Sequence, residues 1–135
     1  MKSIKLLAVL CCVCAGIFFA SCQKETIECV YGVGFPKHQA NGDDFYNLCN
    51  YFKEKGVPYT GDEAVLRIEG KSVADCDKQA KEFFDAQVAK LSYEEIDKFI
   101  QFPAAIYVEY VMSAANKNEG EENFRRIGVW IYPKQ

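Results

Sequence analysis

The chain predicts an α+β domain over residues 27 to 135, a two-layer sandwich with two main helices and one short helix on one face of a mixed four-stranded sheet. The expected element order is β-α-β-α-α-β-β. Three observations lead there. Four stretches alternate apolar and polar side chains with the period of two that a strand with unlike faces requires. Three others carry apolar residues at helical spacing behind residues suited to helix starts. Helical stretches separate the first three strands, whereas only the polar segment "NKNEGEE" separates the last two. Helical crossovers favour parallel pairing and a short connection favours an antiparallel hairpin, so both senses are expected in one sheet.

The first strand, "IECVYGVGF", sets Ile27, Cys29, Tyr31, Val33 and Phe35 against Glu28, Val30, Gly32 and Gly34, and Pro36 is expected to end it. "KHQANGDD" reads as loop, with turn chemistry at Asn41 and Gly42. Asp43 or Asp44 is placed to accept hydrogen bonds from the free amides of a following helix. That helix carries Phe45, Leu48, Cys49 and Phe52 on one stripe and stops at Gly56. "EAVLRIEG" then alternates Ala64, Leu66 and Ile68 against Val65, Arg67 and Glu69 as a strand with one wet face. The longest helix follows, with Val73, Cys76, Ala80, Phe83, Phe84 and Gln87 or Val88 along one side. Ser92 and Glu95 have capping-box spacing and open a short helix through about Gln101, which turns Ile96, Phe99 and Ile100 inward. Pro103 closes it. "AAIYVEYVMSA", rich in β-branched and aromatic residues, is the clearest strand, and "ENFRRIGVWIYP" is its expected partner.

Ahead of the domain, Lys2 and Lys5 precede an apolar run of about 15 residues ending at Ala20, a positive n-region followed by an h-region. The run is shorter than the roughly 20 residues that cross a bilayer core. Phe19, Ala20, Ser21 and Cys22 then resemble the lipobox of bacterial lipoproteins, with Phe19 where Leu is usual. The resemblance implies a signal peptide over residues 1–21, with cleavage before Cys22 and attachment of acyl chains such as palmitate to that cysteine. Residues 22–26 would then be a lipidated tether. Two or three chains hold a protein at a membrane without spanning it. "QKE" after Cys22 looks like the short signal that sends some Bacteroidota lipoproteins to the cell surface. An outer-membrane lipoprotein, periplasmic or surface-exposed, is expected. The alternative is an ordinary cleaved secretory signal with Cys22 free.

Removing Lys2 and Lys5 with the signal leaves 14 basic residues against 19 acidic ones, a net charge of −5. This argues against nucleic acid, whose binding depends on neutralising phosphates. Of seven cysteines, Cys29, Cys49 and Cys76 remain in the domain, with no CxxC among them and His38 as the single histidine. Neither a zinc site nor a redox pair of that kind is suggested, and no metal or cofactor is expected. Cys49 and Cys76 sit on helices expected to be neighbours and form the expected disulfide. The alternative is that all three cysteines are small buried hydrophobes.

Alternation assigns Ile106, Val108, Tyr110 and Met112, with Ile127, Val129 and Ile131, to the helix-covered side. The other side then presents Tyr107, Glu109, Val111, Arg126, Trp130, Tyr132, Val65, Arg67 and Glu69. Gly32 and Gly128 leave it flat for close approach. Aromatics and arginine dominate protein interfaces, so Tyr107, Glu109, Arg126, Trp130, Tyr132 and Arg67 are the candidate partner-binding residues. Ordinary cross-strand packing uses the same residue types. A catalytic pair of Cys29 or Cys49 with His38 lacks any nucleophile motif. "GVGFPK" lacks the geometry of a phosphate loop, and "NGDD" lacks the ligand spacing of an EF-hand. The expected function is a non-enzymatic, lipid-anchored envelope domain that binds a protein partner through an open sheet face. An immunity protein or protease inhibitor is its sharpest version, and a structural component of an outer-membrane assembly is the alternative.

Overall fold

In the computed structural model, which describes residues 25–115 and 125–135, the seven elements follow the predicted order. Strand β1 spans Ile27–Gln39, helix α1 Gly42–Glu54, β2 Val65–Gly70, α2 Val73–Val88, α3 Tyr93–Asp97, β3 Tyr107–Ala114 and β4 Arg125–Tyr132. The four strands form one open sheet in the order β2-β1-β3-β4. The α+β class and the element order hold. Pairing is antiparallel at all three ladders rather than mixed. The reason lies in the connections. The segment between α1 and β2 bends at Gly56 and Gly61, both in the left-handed region, with φ of 71° and 73°. It is long enough to carry the chain back so that β2 enters beside Gly32 and runs against β1. The right-handed crossover rule constrains parallel neighbours only.

Pro36 does not end β1. The strand runs on to Gln39, and its register with β3 shifts between Gly34 and Lys37. A bulge there leaves Pro36 outside the ladder, where its missing N–H costs no hydrogen bond. Helix α1 is capped by Asn41, whose side chain accepts from the Asp44 amide at 2.9 Å, rather than by either aspartate. Asp44 is fully buried. Its carboxylate accepts from the amides of Gln101 (2.8 Å) and Phe102 (3.0 Å), which fastens the start of α1 to the segment after α3. Ser72 caps α2 and Ser92 caps α3, each through its side-chain oxygen. The expected capping box at α3 is rebuilt by a third residue. The Ser92 amide donates to the Tyr51 hydroxyl at 3.0 Å, and that hydroxyl donates to Glu95 at 2.5 Å. Helix α3 is shorter than expected and ends at Asp97.

The core lies between the helices and one face of the sheet. Leu48 and Phe52 of α1, Cys76, Ala80 and Phe84 of α2, and Ile96 of α3 meet Tyr31, Ile68, Val108, Tyr110 and Met112 of the strands. Val73, predicted on the inner stripe, is exposed. Phe52 is the hub, with ring centroids 4.9 Å from Phe35, 4.9 Å from Tyr110 and 5.7 Å from Trp130, all edge-to-face. Such pairs contribute about 0.5–1.5 kcal/mol each beyond the area they bury. Phe84 stacks on Tyr110 from the other helix. It reaches the sheet because Gly128 lies beneath it, where an added Cβ would fall 2.4 Å from the ring.

Gly128→Ala therefore forces overlap against a packed aromatic and should lower unfolding stability by about 1–3 kcal/mol. Gly32→Ala, where an added Cβ meets nothing within 4 Å, should stay within about 0.5 kcal/mol. Urea denaturation of the two variants beside the parent measures the contrast.

Candidate functional site

The face away from the helices is built from alternate residues of all four strands. Strand β1 contributes Glu28, Val30, Gly32 and Gly34 before its bulge and Lys37 after it. Cross-strand pairing places Val65 beside Gly32, Arg67 beside Val30, Glu109 beside Lys37, and Val111 beside Gly34. Val65, Arg67, Glu69, Tyr107, Glu109 and Val111 thus occupy the side that alternation assigned to them.

Strand β4 divides. Arg126 faces the open side opposite Ser113, as expected, but Trp130 and Tyr132 point into the core. Trp130 is paired with Tyr110 and Tyr132 with Val108, and both are buried. The cause is a register shift: Met112 pairs with Gly128 and Ser113 with Arg126, so Ile127 is an extra residue on β4. One inserted residue reverses the alternation beyond it. Trp130 stacks on Tyr93 of α3 at 5.3 Å, and the Tyr132 hydroxyl donates to Asp97. Val129 and Ile131, expected inside, take the open side instead, and Val129 is 41% exposed. Gly128 faces Phe84 and leaves no space for a partner. A glycine inside an otherwise regular strand is the sequence signal that marks such a bulge or close contact.

The resulting face has an apolar centre and a charged margin. The backbone of β1 around Gly32 and Gly34 lines a shallow depression of about 440 Å³ with Pro36, Ser113 and the buried Val111; it is open above Gly32, whereas at Gly34 the Tyr59 carbonyl oxygen lies 3.0 Å from where a Cβ would stand. Val65 and Val129 continue the apolar surface on either side, at 45% and 41% exposure. On the margin Glu109 accepts from the Tyr107 hydroxyl at 2.6 Å and lies 3.4 Å from the Arg126 guanidinium. The Tyr107 hydrogen bond, followed by the positive charges of Arg126 and Lys37, holds the Glu109 carboxyl below the usual carboxylate range. At the opposite margin Arg67 and Glu28 approach to 3.8 Å with both side chains largely exposed. Such surface pairs contribute little to folding. They are free to exchange partners with an incoming surface.

The cysteines do not form the expected bridge. Cys29, Cys49 and Cys76 are free thiols. Cys76 lies over the ladder beside Cys29, its sulfur 3.6 Å from the carbonyl oxygen of Ile68, the cross-strand partner of Cys29, because α2 packs its first turns over β1 and β2, whereas Cys49 rides on α1. His38 is not in a loop but on β1, where its ring stacks on Phe45 at 3.8 Å. Burial pushes the Cys49 thiol up, opposite to the direction that activates a nucleophile. Among the described residues no group of three His, Cys, Asp or Glu side chains is placed to hold a metal ion. No helix among them is long and apolar enough to cross a membrane.

Tyr107→Phe removes the largest influence on Glu109, so the carboxyl should titrate closer to its ordinary value, read by NMR of the Glu109 side chain. A carboxyl lowered in the folded state contributes stability above its unfolded pKa and loses it as pH falls through the folded one. The stability difference between parent and Tyr107→Phe should therefore shrink on acidification through that point. No protein family, curated protein or solved structure matches this chain.

Proposed function

We propose that the domain is a non-enzymatic binding module of the bacterial envelope, which engages a protein partner through the open sheet face while acyl chains on Cys22 tether it to the outer membrane. Cys22 and the signal over residues 1–21 lie outside the described residues. The tether rests on the lipobox resemblance.

The observation that carries the binding reading is the depression over Gly32 and Gly34. Bare backbone at Gly32, where an added Cβ meets nothing within 4 Å, lets a partner's apolar side chain approach closely, and the exposed Val65 and Val129 add apolar area around it. Glu28, Lys37, Arg67, Glu109 and Arg126 frame that area with both signs of charge. A dehydrated centre inside a polar rim is the usual anatomy of a protein interface. The partner that fits is a protein surface with a protruding apolar side chain flanked by mixed charges.

Gly32→Leu fills the depression at a position with open space around the new side chain. The full chain, used as bait in envelope extracts, should retain a partner that Gly32→Leu and Arg126→Glu lose, with circular dichroism unchanged for both. Equal capture by all three would overturn the use of this face. For the tether, intact-mass analysis of protein from its native host should show a chain starting at Cys22 and carrying the mass of acyl groups. An unmodified thiol there would remove the anchor from the proposal.

A further inference from the structure

Cys29 and Cys76 meet beneath the first turns of α2. Cys29 lies in β1 opposite Ile68 of β2 and packs against the core on the helix-covered side. The Cys76 sulfur, fully buried, is 3.6 Å from the carbonyl oxygen of Ile68 and 4.0 Å from that of Ile27. It therefore sits over the ladder between Cys29's cross-strand partner and the residue two before Cys29 on the same face. Gly70 makes room for it: paired with Ile27, it would carry a Cβ only 3.0 Å from this sulfur. Cys29 turns to the same side from the adjacent ladder position, and after burial it is the neighbouring group that bears most on the Cys76 thiol. A cysteine on a strand and one on the helix packed over it, both turned into the same layer, can be bridged where their Cβ atoms come within about 3.5–4.5 Å.

We propose that Cys29 and Cys76 form a disulfide site, a reversible cross-link between β1 and α2 made by exchange with an external disulfide. Cys29 is half-buried and the more accessible of the two. As the thiolate it attacks one sulfur of the oxidant, forming a mixed disulfide and releasing one thiolate of the reagent. Cys76 then loses its proton and attacks the Cys29 sulfur, which expels the second reagent thiolate. Two protein thiols are oxidised, one external disulfide is reduced to two thiols, and the two protons pass to the released thiolates. Burial first, and then the neighbouring Cys29, push the thiol of the reduced Cys76 up to about 11.

The cross-link would close a loop running through β1, α1 and β2 and so constrain the unfolded chain. It also acts locally. Ile27, the first ladder residue of β1, is 40% exposed. A covalent bond two residues further on would fasten this end of the sheet to α2.

Each domain thiol falls on its own tryptic peptide: residues 25 to 37 hold Cys29, 38 to 53 hold Cys49, and 72 to 78 hold Cys76. The reduced full chain is incubated with oxidised glutathione, remaining thiols are alkylated in denaturant, and the digest is mapped by mass spectrometry without reduction. The expected product joins peptide 25–37 to peptide 72–78 and leaves Cys49 alkylated. It should form equally in Cys49→Ser and melt at a higher temperature than the reduced chain. Alkylation of both Cys29 and Cys76 after oxidation, or a link from either to peptide 38–53, would overturn the assignment.

Discussion

Where β4 passes beneath α2 it carries no side chain, and the Phe84 ring fills the volume that a Cβ at Gly128 would need. That contact sets the separation between the helix and the sheet. With Phe84 lowered onto the backbone, its ring stacks on Tyr110 at 5.5 Å, and Tyr110 in turn meets Phe52 from α1. Both main helices thus close on one strand residue. The extra residue at Ile127 stands next to this glycine and decides which β4 side chains follow it inward. Trp130 and Tyr132 join the aromatic layer, and Val129 and Ile131 remain outside. Close packing of this kind is unforgiving of added volume, because interiors are filled to crystal-like density.

Around that apolar layer, tyrosine hydroxyls make the polar attachments. Tyr31 donates to Asp77 of α2, Tyr110 to the carbonyl of Pro58, Tyr132 to Asp97 of α3, and Tyr51 to Glu95. Each ring is buried while its hydroxyl reaches the perimeter, so one side chain supplies apolar area and a satisfied polar end. Burial, aided at Tyr31 and Tyr132 by the neighbouring carboxylates, pushes the phenols of Tyr31, Tyr110 and Tyr132 above their ordinary range. They therefore stay neutral donors across physiological pH. Asp77 also pairs with Arg125 at the start of β4, which ties that edge strand to α2.

The two faces of the sheet differ in kind. The covered face is committed to aromatic packing that tolerates little change. The open face holds small and β-branched residues at its centre, where an added Cβ at Gly32 meets nothing. Of its charges, Arg67 and Glu28 are paired loosely at the surface, whereas Glu109 is held by the Tyr107 hydroxyl. The first face gives the domain most of its buried apolar packing.

Local chemistry in the sequence determined the element order, the helix start at Ser92, the stop at Gly56, and the inward residues of β2 and β3. These depend on spacing and on hydrogen bonds between near neighbours, which a single stretch of chain contains. Part of the open face was legible for the same reason: Arg67, Tyr107, Glu109 and Arg126 stand where alternation put them. What only the tertiary structure decided involves contacts between distant segments. The antiparallel sense of β2 came from the reach of its connection, Asn41 took the cap because Asp44 was drawn to the amides of Gln101 and Phe102, and Cys76 found Cys29 because Gly70 let α2 settle. Trp130 and Tyr132 were misplaced by alternation because a single bulge at Ile127 inverts every side chain after it. A bulge is a property of two paired strands, and neither strand carries it alone.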